Sequence, residues 1–335
     1  MKNRSPDKKK DEWFKDWLAY GGSFWFGSGI ILAIIAILAG LLLPALSRVK
    51  VAVRMRQVVV YTSQDQVYSE PIFQSFTKQT GIKVRAVYDS EAVKTVGLVN
   101  RLIAEENHPQ CDVFWNNEEF RTRQLAAQNI FRETNSWAAF GYRSRRMVVS
   151  SLSTNPPQTL FDLTNEIWRG KVALAYPLFG TTATHFLALR QQWGDEKWRA
   201  WCRVLQVNKA LLVDGNSIVV KLIRRGEVSI GLTDSDDIAA ENRNGGNLKA
   251  LPIYAETLLI PNTVAVIRDA PHPEAAERLF QFLQSREVVA KLVAANAIEG
   301  ASLKDVKTPT LKPNWEKLLA ELDTATKELK EIFLR

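Results

Sequence analysis

The chain has 335 residues, 46% hydrophobic and 24% charged. That composition is globular, suits about two domains and excludes bulk disorder. The formal charge of +8 resembles a nucleic-acid footprint, but residues 1–56 hold ten Lys or Arg and four acids. Six of the eight charges therefore sit in that segment, the rest of the chain is nearly neutral, and no nucleic acid is expected as a partner.

Residues 1–23 form a basic tail with Lys8, Lys9, Lys10 and the aromatics Trp13, Phe14 and Trp17. Residues 24–46 are almost wholly apolar, with no charge between Asp16 and Arg48. About 20 such residues cross ~30 Å of hydrocarbon as a helix, and Phe24 and Trp25 suit an interface. A transmembrane helix or signal anchor is expected there. A cleaved signal peptide, with its apolar core of about 7–15 residues, competes with it, and a buried core helix is a third reading. Residues 47–56 are a basic linker. Its Arg48, Lys50, Arg54 and Arg56 nearly balance the cations ahead of the run, so charge alone does not orient it.

A strand–helix alternation follows. Val58–Tyr61 reads as a strand, Val67–Thr80 as an amphipathic helix stopped by Gly81, and Ile82–Val87 as a strand. Val93–Glu106 reads as a helix and Cys111–Trp115 as a strand. This order implies a parallel sheet with both faces covered. Ligands of such sheets bind beyond the carboxyl ends of the strands. Those ends carry Thr62, Ser63, Gln64 and Asp65, then Asp89 to Glu91, then Asn116, Asn117 and Glu118, a polar and mostly acidic rim.

A helix is predicted over 118–130, then a strand over Trp137–Ser150 with a basic cluster at Arg143, Arg145 and Arg146. Further strands are expected at 171–176, 210–213, 228–232, 248–254 and 257–267. A loop, 177–184, feeds a helix over 185–192. More helices are expected at 195–206, 216–225, 238–243, 273–283, 286–294 and 313–333. The middle, 142–256, makes one α/β set, and 57–141 with 257–335 read as another. Two lobes with a cleft between them are the expected architecture. Cys111 and Cys202 read as unpaired buried thiols, with a disulfide between them as the alternative, and no metal-type Cys spacing exists.

Three stretches could carry chemistry. Gly180, Thr181 and Thr182 stand at a strand-to-helix junction, where backbone N–H groups attract anions; plain helix capping explains them equally well. Gly215-Asn216-Ser217 has the same two readings. Thr233-Asp234-Ser235-Asp236-Asp237 sets three carboxylates within four residues at a strand end. They are either a solvated face or a cation site, with Asp65, Asp89 and Glu91 adding acidity. Oxygen-only ligands favour hard cations such as Mg²⁺, Ca²⁺ or Fe³⁺, and an ammonium group could use the same carboxylates. His108 and His272 adjoin prolines. His185 stands one turn behind Gly180 and could line the cleft. No spacing suggests a catalytic dyad or triad, and no enzyme, catalytic residue or catalytic cofactor is expected.

In order, the segments VVVYTSQDQ, FTKQTGIKV, YDSEAVKTVGLVNRL, CDVFWNNE, NEIWRGKVALAYPLFGTT, GNSIVVKLIRRGEVSIGLTDSDD, LLIPNTVAVI and APHPEAAERLFQFLQS span about residues 57–300. Together they resemble the iron(III)-type periplasmic substrate-binding proteins of ABC importers. The resemblance implies the bilobal type II periplasmic-binding-protein fold: α/β, two mixed sheets with flanking helices and a central cleft, here preceded by one transmembrane helix. It implies a small-molecule or ion ligand, a permease and an ATPase as partners, a monomeric soluble part, and single-pass anchoring in the inner membrane with the binding domain in the periplasm or extracellular space. Glu91 matches a metal ligand of the family. Gly180, Thr181, Thr182 and Asn216 match the site of a synergistic anion. The adjacent tyrosines of iron-binding members are replaced here by Ser235 and Asp236, and an early His by Gln64 and Asp65. Carboxylates from Asp234, Asp236 and Asp237 could take over from the phenolates, with Glu91, Asp236 and Asp237 as the metal set. Fe(III), another hard cation with its anion, an amine or a phosphonate are the ligand alternatives; a membrane-tethered sensor domain and a metal-dependent enzyme on the same scaffold are the alternative functions. Thr62, Ser63, Asp65, Thr233 and Ser235 complete the expected lining.

Overall fold

The computed structural model describes Lys15 and residues 57–89 and 95–334. The apolar run 24–46 and Glu91 lie outside the described residues, and no described helix is long and apolar enough to cross a membrane. β1 (Gln57–Thr62) is built on three consecutive valines, whose branched side chains favour a pleated strand. α1 (Gln66–Thr80) buries Tyr68, Ile72, Phe73 and Phe76 and ends at Gly81. Gly81 takes φ +71° and returns its N–H to Thr77 O, the left-handed cap that glycine adopts without a Cβ penalty. β2 (Lys83–Tyr88), α2 (Val96–Ala104), β3 (Val113–Asn116) and α3 (Phe120–Ala127) follow. β2 and β3 both pair parallel with β1, as the alternation predicts.

β4 (Trp137–Ser150) is the long strand of the molecule. Its first half, Trp137–Ser144, pairs antiparallel with β9 (Leu259–Val266), and its second half, Arg145–Val149, with β7 (Ile230–Asp234). β8 (Leu248–Leu251) adds to the same end of β4. β5 (Val172–Ala175) lies parallel to both β7 and β6 (Leu211–Val213). The strand order is β2-β1-β3-β9-β4-β7-β5-β6, with β8 on β4. The two mixed sheets expected from the resemblance are thus continuous, because β4 belongs to both.

The remaining helices are α4 (Gly180–Trp193), α5 (Asp195–Val207), α6 (Asn216–Arg224), α7 (Ser235–Arg243), α8 (Pro273–Leu283), α9 (Arg286–Ala294) and α10 (Trp315–Phe333). They cover both faces of each half of the sheet. In the first half, Val58, Val60, Val113 and Trp115 pack with Phe73, Phe76, Leu279 and Leu283, while Tyr61 and Phe114 face Leu98, Leu102 and Leu125. In the second half, Met147, Val149 and Leu174 meet Phe186, Trp198 and Trp201, while Val148 and Ala173 meet Val219 and Ile223. Alternate residues of one strand serve opposite cores, as the two-residue period requires. Residues 257–335 contribute to both halves. α8 and α9 join the first, whereas α10 sets Leu318, Leu322, Ala325 and Leu329 against the Phe186 and Trp201 cluster.

Two helix starts that bear on the site differ from expectation. α4 begins at Gly180, not after Thr184, and α7 begins at Ser235, not Ile238. The threonine run lowers intrinsic helix propensity, but Thr181 to Thr184 are buried and tertiary packing overrides it. In α7, Asp236 and Asp237 occupy the first turn, where the helix dipole favours negative charge.

Gly231 shows how closely α6 approaches the sheet: a Cβ there would lie 2.2 Å from Val219 Cγ1 and 3.1 Å from Ile223 Cδ1. Overpacking of this kind destabilises by about 1–3 kcal/mol. Gly231→Ala should lower the guanidinium unfolding midpoint accordingly, and an unchanged midpoint would contradict this packing.

Candidate functional site

The parallel strands β7, β5 and β6 send their carboxyl ends to one edge, and each runs into a helix: β5 into α4, β6 into α6, β7 into α7. Helix N-termini carry unsatisfied N–H groups and a partial positive charge. Three of them therefore converge. A cavity opens at this point, bounded by Tyr176, Gly180, Thr181 and Thr182 on one side, by Gly215 and Asn216 on another, and by Asp234 and Asp237. Arg143, Asn117 and Thr95 close it from β4, β3 and the start of α2.

A buried ion-pair cluster forms its floor. Arg143 and Arg145 stand two apart on β4 and so share a face. Arg145 lies opposite Asp234 in the β4–β7 ladder, with Nη1 2.7 Å from Asp234 Oδ1. Arg143 Nη2 is 3.2 Å from Asp234 Oδ2, and its Nη1 is 2.5 Å from Asp236 Oδ2. Arg143 also donates to Asn117 O at 3.2 Å. Asp234 further accepts from Thr181 Oγ1 at 2.7 Å and Asn216 Nδ2 at 3.2 Å. Burial alone would raise the Asp234 carboxyl, but Arg143 and Arg145 beside it outweigh burial and hold it below the usual carboxylate range. Burial likewise opposes charge on Arg143, yet Asp236 and Asp234 raise its affinity for the proton. Both partners are ionised. Two guanidinium groups thus stand among the three carboxylates of this run.

The expected acidic cation site is therefore largely neutralised from within. Asp234 and Asp236 are buried and salt-bridged to arginine, whereas Asp237 lines the cavity half-buried. Gly180, Thr181, Thr182 and Asn216 line it, at helix starts rather than in loops. The Asn216 amide is engaged within the protein: Oδ1 accepts from Arg145 Nη1 at 3.1 Å and Nδ2 donates to Thr181 Oγ1 at 3.1 Å. Thr233 Oγ1 donates to Asn216 O, and Ser235 Oγ accepts from Ser144 N–H. Both brace the cavity from behind. Thr62 and Ser63 are buried; Thr62 Oγ1 accepts from Gln64 N–H and Ser63 Oγ lies between the Asn116 and Asn117 side chains. Asp65 precedes α1 and does not line the cavity. Asp89 Oδ2 accepts the Leu98 N–H of α2.

Sequence reasoning noticed the basic cluster of β4 without joining it to the site. The available signal was period two: Arg143 and Arg145 share one face of the strand, with Ser144 and Arg146 on the other. Asn117 already stood on the strand-end rim where ligands are expected, whereas Tyr176 carried no comparable signal. His185 does not line the cavity. It is fully buried, with Nε2 2.8 Å from Glu256 O.

Residues 57–295 match the family described as bacterial extracellular solute-binding protein. The chain belongs to that family. Its members are solute-binding proteins, not enzymes. A Salmonella typhimurium protein named for periplasmic binding of 2-aminoethylphosphonate is 25% identical over 243 residues, 67% of this chain and 71% of the relative. The Fe(3+)-binding periplasmic protein of Serratia marcescens is 23% identical over 304 residues, 82% and 88% of the two chains. Among solved structures, iron-bound HitA from Pseudomonas aeruginosa superposes with TM-score 0.70 at 17% identity, covering 82% of this chain and 99% of its own. AfuA from Actinobacillus pleuropneumoniae, with fructose-6-phosphate bound, gives 0.71 at 18% identity, covering 83% and 98%. These likenesses establish the periplasmic-binding-protein fold for this solute-binding chain.

Burial, followed by the nearby Arg145, lowers the His185 pKa to about 3. The unfolded value is about 6.5. The folded state thus binds fewer protons between these values, and stability is full above about pH 6.5 and falls as pH drops towards 3. The slope from one such group approaches 1.4 kcal/mol per pH unit. Urea titrations between pH 7 and 4 should show that slope reduced by about one proton in His185→Gln; identical slopes would contradict a neutral buried His185.

Proposed function

We propose that this chain is the solute-binding component of an ABC importer. It would capture a small ligand between a lobe made of 57–141 with α8 and α9 and a lobe made of 142–256 with α10, then deliver it to a permease driven by an ATPase. Segment 24–46 would tether it as a single-pass anchor in the inner membrane, with the binding domain in the periplasm or extracellular space. The reading is supported by family membership and, in the structure, by one arrangement above all. The first turns of α4 and α6 and the guanidinium of Arg143 face the same cavity. Aligned N–H groups and a buried arginine favour an anionic group such as a carboxylate, carbonate, phosphate or phosphonate. Asp237, on the same cavity, suits a cationic part of the ligand. A zwitterion such as 2-aminoethylphosphonate, for which the Salmonella relatives are named, satisfies both signs.

A second reading is a ferric or other hard cation carried with a synergistic anion. It draws on the Fe(3+)-binding relatives and on Asp234, Asp236 and Asp237, which can each bring an oxygen within 4.8 Å of the others. Glu91 would then join Asp236 and Asp237 as a ligand.

Closure of two lobes on a ligand is the usual mechanism of such proteins, and the chain has ten tryptophans to report it. Calorimetry and tryptophan fluorescence of the full chain with 2-aminoethylphosphonate, inorganic phosphate, fructose-6-phosphate and ferric citrate should give saturable one-to-one binding of a phosphonate or phosphate. Silence with all four would sink the proposal, and binding of ferric citrate alone would favour the second reading.

A further inference from the structure

The carboxylates of Asp234, Asp236 and Asp237 lie close enough to share a metal ion. Arg143 already stands among them, with Nη1 2.5 Å from Asp236 Oδ2 and Nη2 3.2 Å from Asp234 Oδ2. A guanidinium and a hard cation compete for the same oxygen lone pairs, and two positive charges a few ångströms apart repel strongly away from bulk water. Arg143 also has donor capacity left. Its Nε is buried and has no partner among the described residues, and Arg143 lines the cavity while only 5% exposed. Asn117 Nδ2, on the same cavity, is likewise buried without a partner among the described residues. Both orphaned atoms are donors, and a buried donor left unmade is costly. They call for an acceptor-rich ligand, not for a cation.

The geometry points to Arg143 as the residue that selects the charge of the ligand. It fills the carboxylate cluster with the protein's own cation, excludes hard metal ions from it, and keeps a buried N–H for an anionic oxygen. This rests on the solute-binding reading above and narrows its ligand to a solute bearing an oxyanion, phosphate or phosphonate in class. Arg145 cannot take this part. It is fully buried, does not line the cavity, and spends Nη1 on Asp234 and Asn216.

The test is Arg143→Ala in the full chain, read with two probes. Inorganic phosphate and 2-aminoethylphosphonate report the anion site by calorimetry. Tb³⁺, a hard oxygen-seeking cation, reports the carboxylate cluster by luminescence sensitised from nearby aromatics such as Tyr176. Wild type should show no saturable Tb³⁺ site in the cavity. Arg143→Ala should gain one of single stoichiometry, at least tenfold tighter than any Tb³⁺ binding of the wild type, and lose it again when Asp237→Asn is added. The same variant should lose at least tenfold in affinity for the anion. Equal Tb³⁺ binding by wild type and variant, or unchanged anion affinity, would overturn the role given to Arg143. Because Arg143→Ala breaks a buried pair and can fail to fold, Asp236→Asn provides a second arm. It leaves Arg143 held by Asp234 and releases one carboxylate, so anion affinity should rise at least threefold; no rise would count against the proposal. Failure of the wild type to bind either anion contradicts the function proposed above and is read separately from the Tb³⁺ arm.

Discussion

The structure turns on one cross-strand ion pair, Arg145 against Asp234, extended by Arg143 to Asp236. Two charged side chains taken out of water need near-complete compensation, and removing one partner of such a pair typically costs about 3–5 kcal/mol. Here the compensation comes from several elements at once. Thr181 of α4, Asn216 of α6 and the start of α7 all reach the same Asp234 carboxylate or its neighbours. The pair therefore holds three helix N-termini to one point while it neutralises the acidic run that begins α7.

β4 carries the arginines to that point because of its length and one irregularity. Its register against β9 shifts between Phe140 and Tyr142, around Gly141. Gly141 takes φ +62°, a conformation that favours glycine, and a Cβ there would press on the end of Ile298 and lie 3.2 Å from Gly300 O. A bulge of this kind changes the phase of the inside–outside alternation. Beyond it, Arg143 and Arg145 turn to the face where the helix ends meet. Asn117, at the end of β3, receives Arg143 through its carbonyl, so the first and second halves of the sheet both contribute to the cavity.

Much of this was legible in the sequence, for a physical reason. Strands such as Val58–Tyr61 and helices such as Pro273–Leu283 bury regular stripes, and periodicity reports burial directly. The starts of α4 and α7 were not legible, since Thr181–Thr184 and Ser235–Asp237 have loop-like local preferences that packing and the helix dipole override. In sequence the acidic run reads as a solvated face or a cation site, because its carboxylates are adjacent in the chain. Its partners are not: Arg145 is 89 residues from Asp234, and Arg143 is 93 from Asp236. A pairing over that distance is fixed by the β4–β7 register, which local sequence does not state. The residues at helix starts, Gly180 to Thr182 and Asn216, were found because a strand-to-helix junction is a local feature.

The central claim is that the cavity receives an anion at the heads of α4 and α6 while Arg143 stays in the carboxylate cluster. A crystal structure of the full chain bound to 2-aminoethylphosphonate or phosphate tests it most directly. The account predicts phosphorus-bound oxygens within hydrogen-bonding distance of the first-turn N–H groups of α4 and of Arg143 Nε, with the Arg143–Asp236 pair intact. An anomalous metal peak between Asp236 and Asp237, with Arg143 swung out of the cluster, would contradict it.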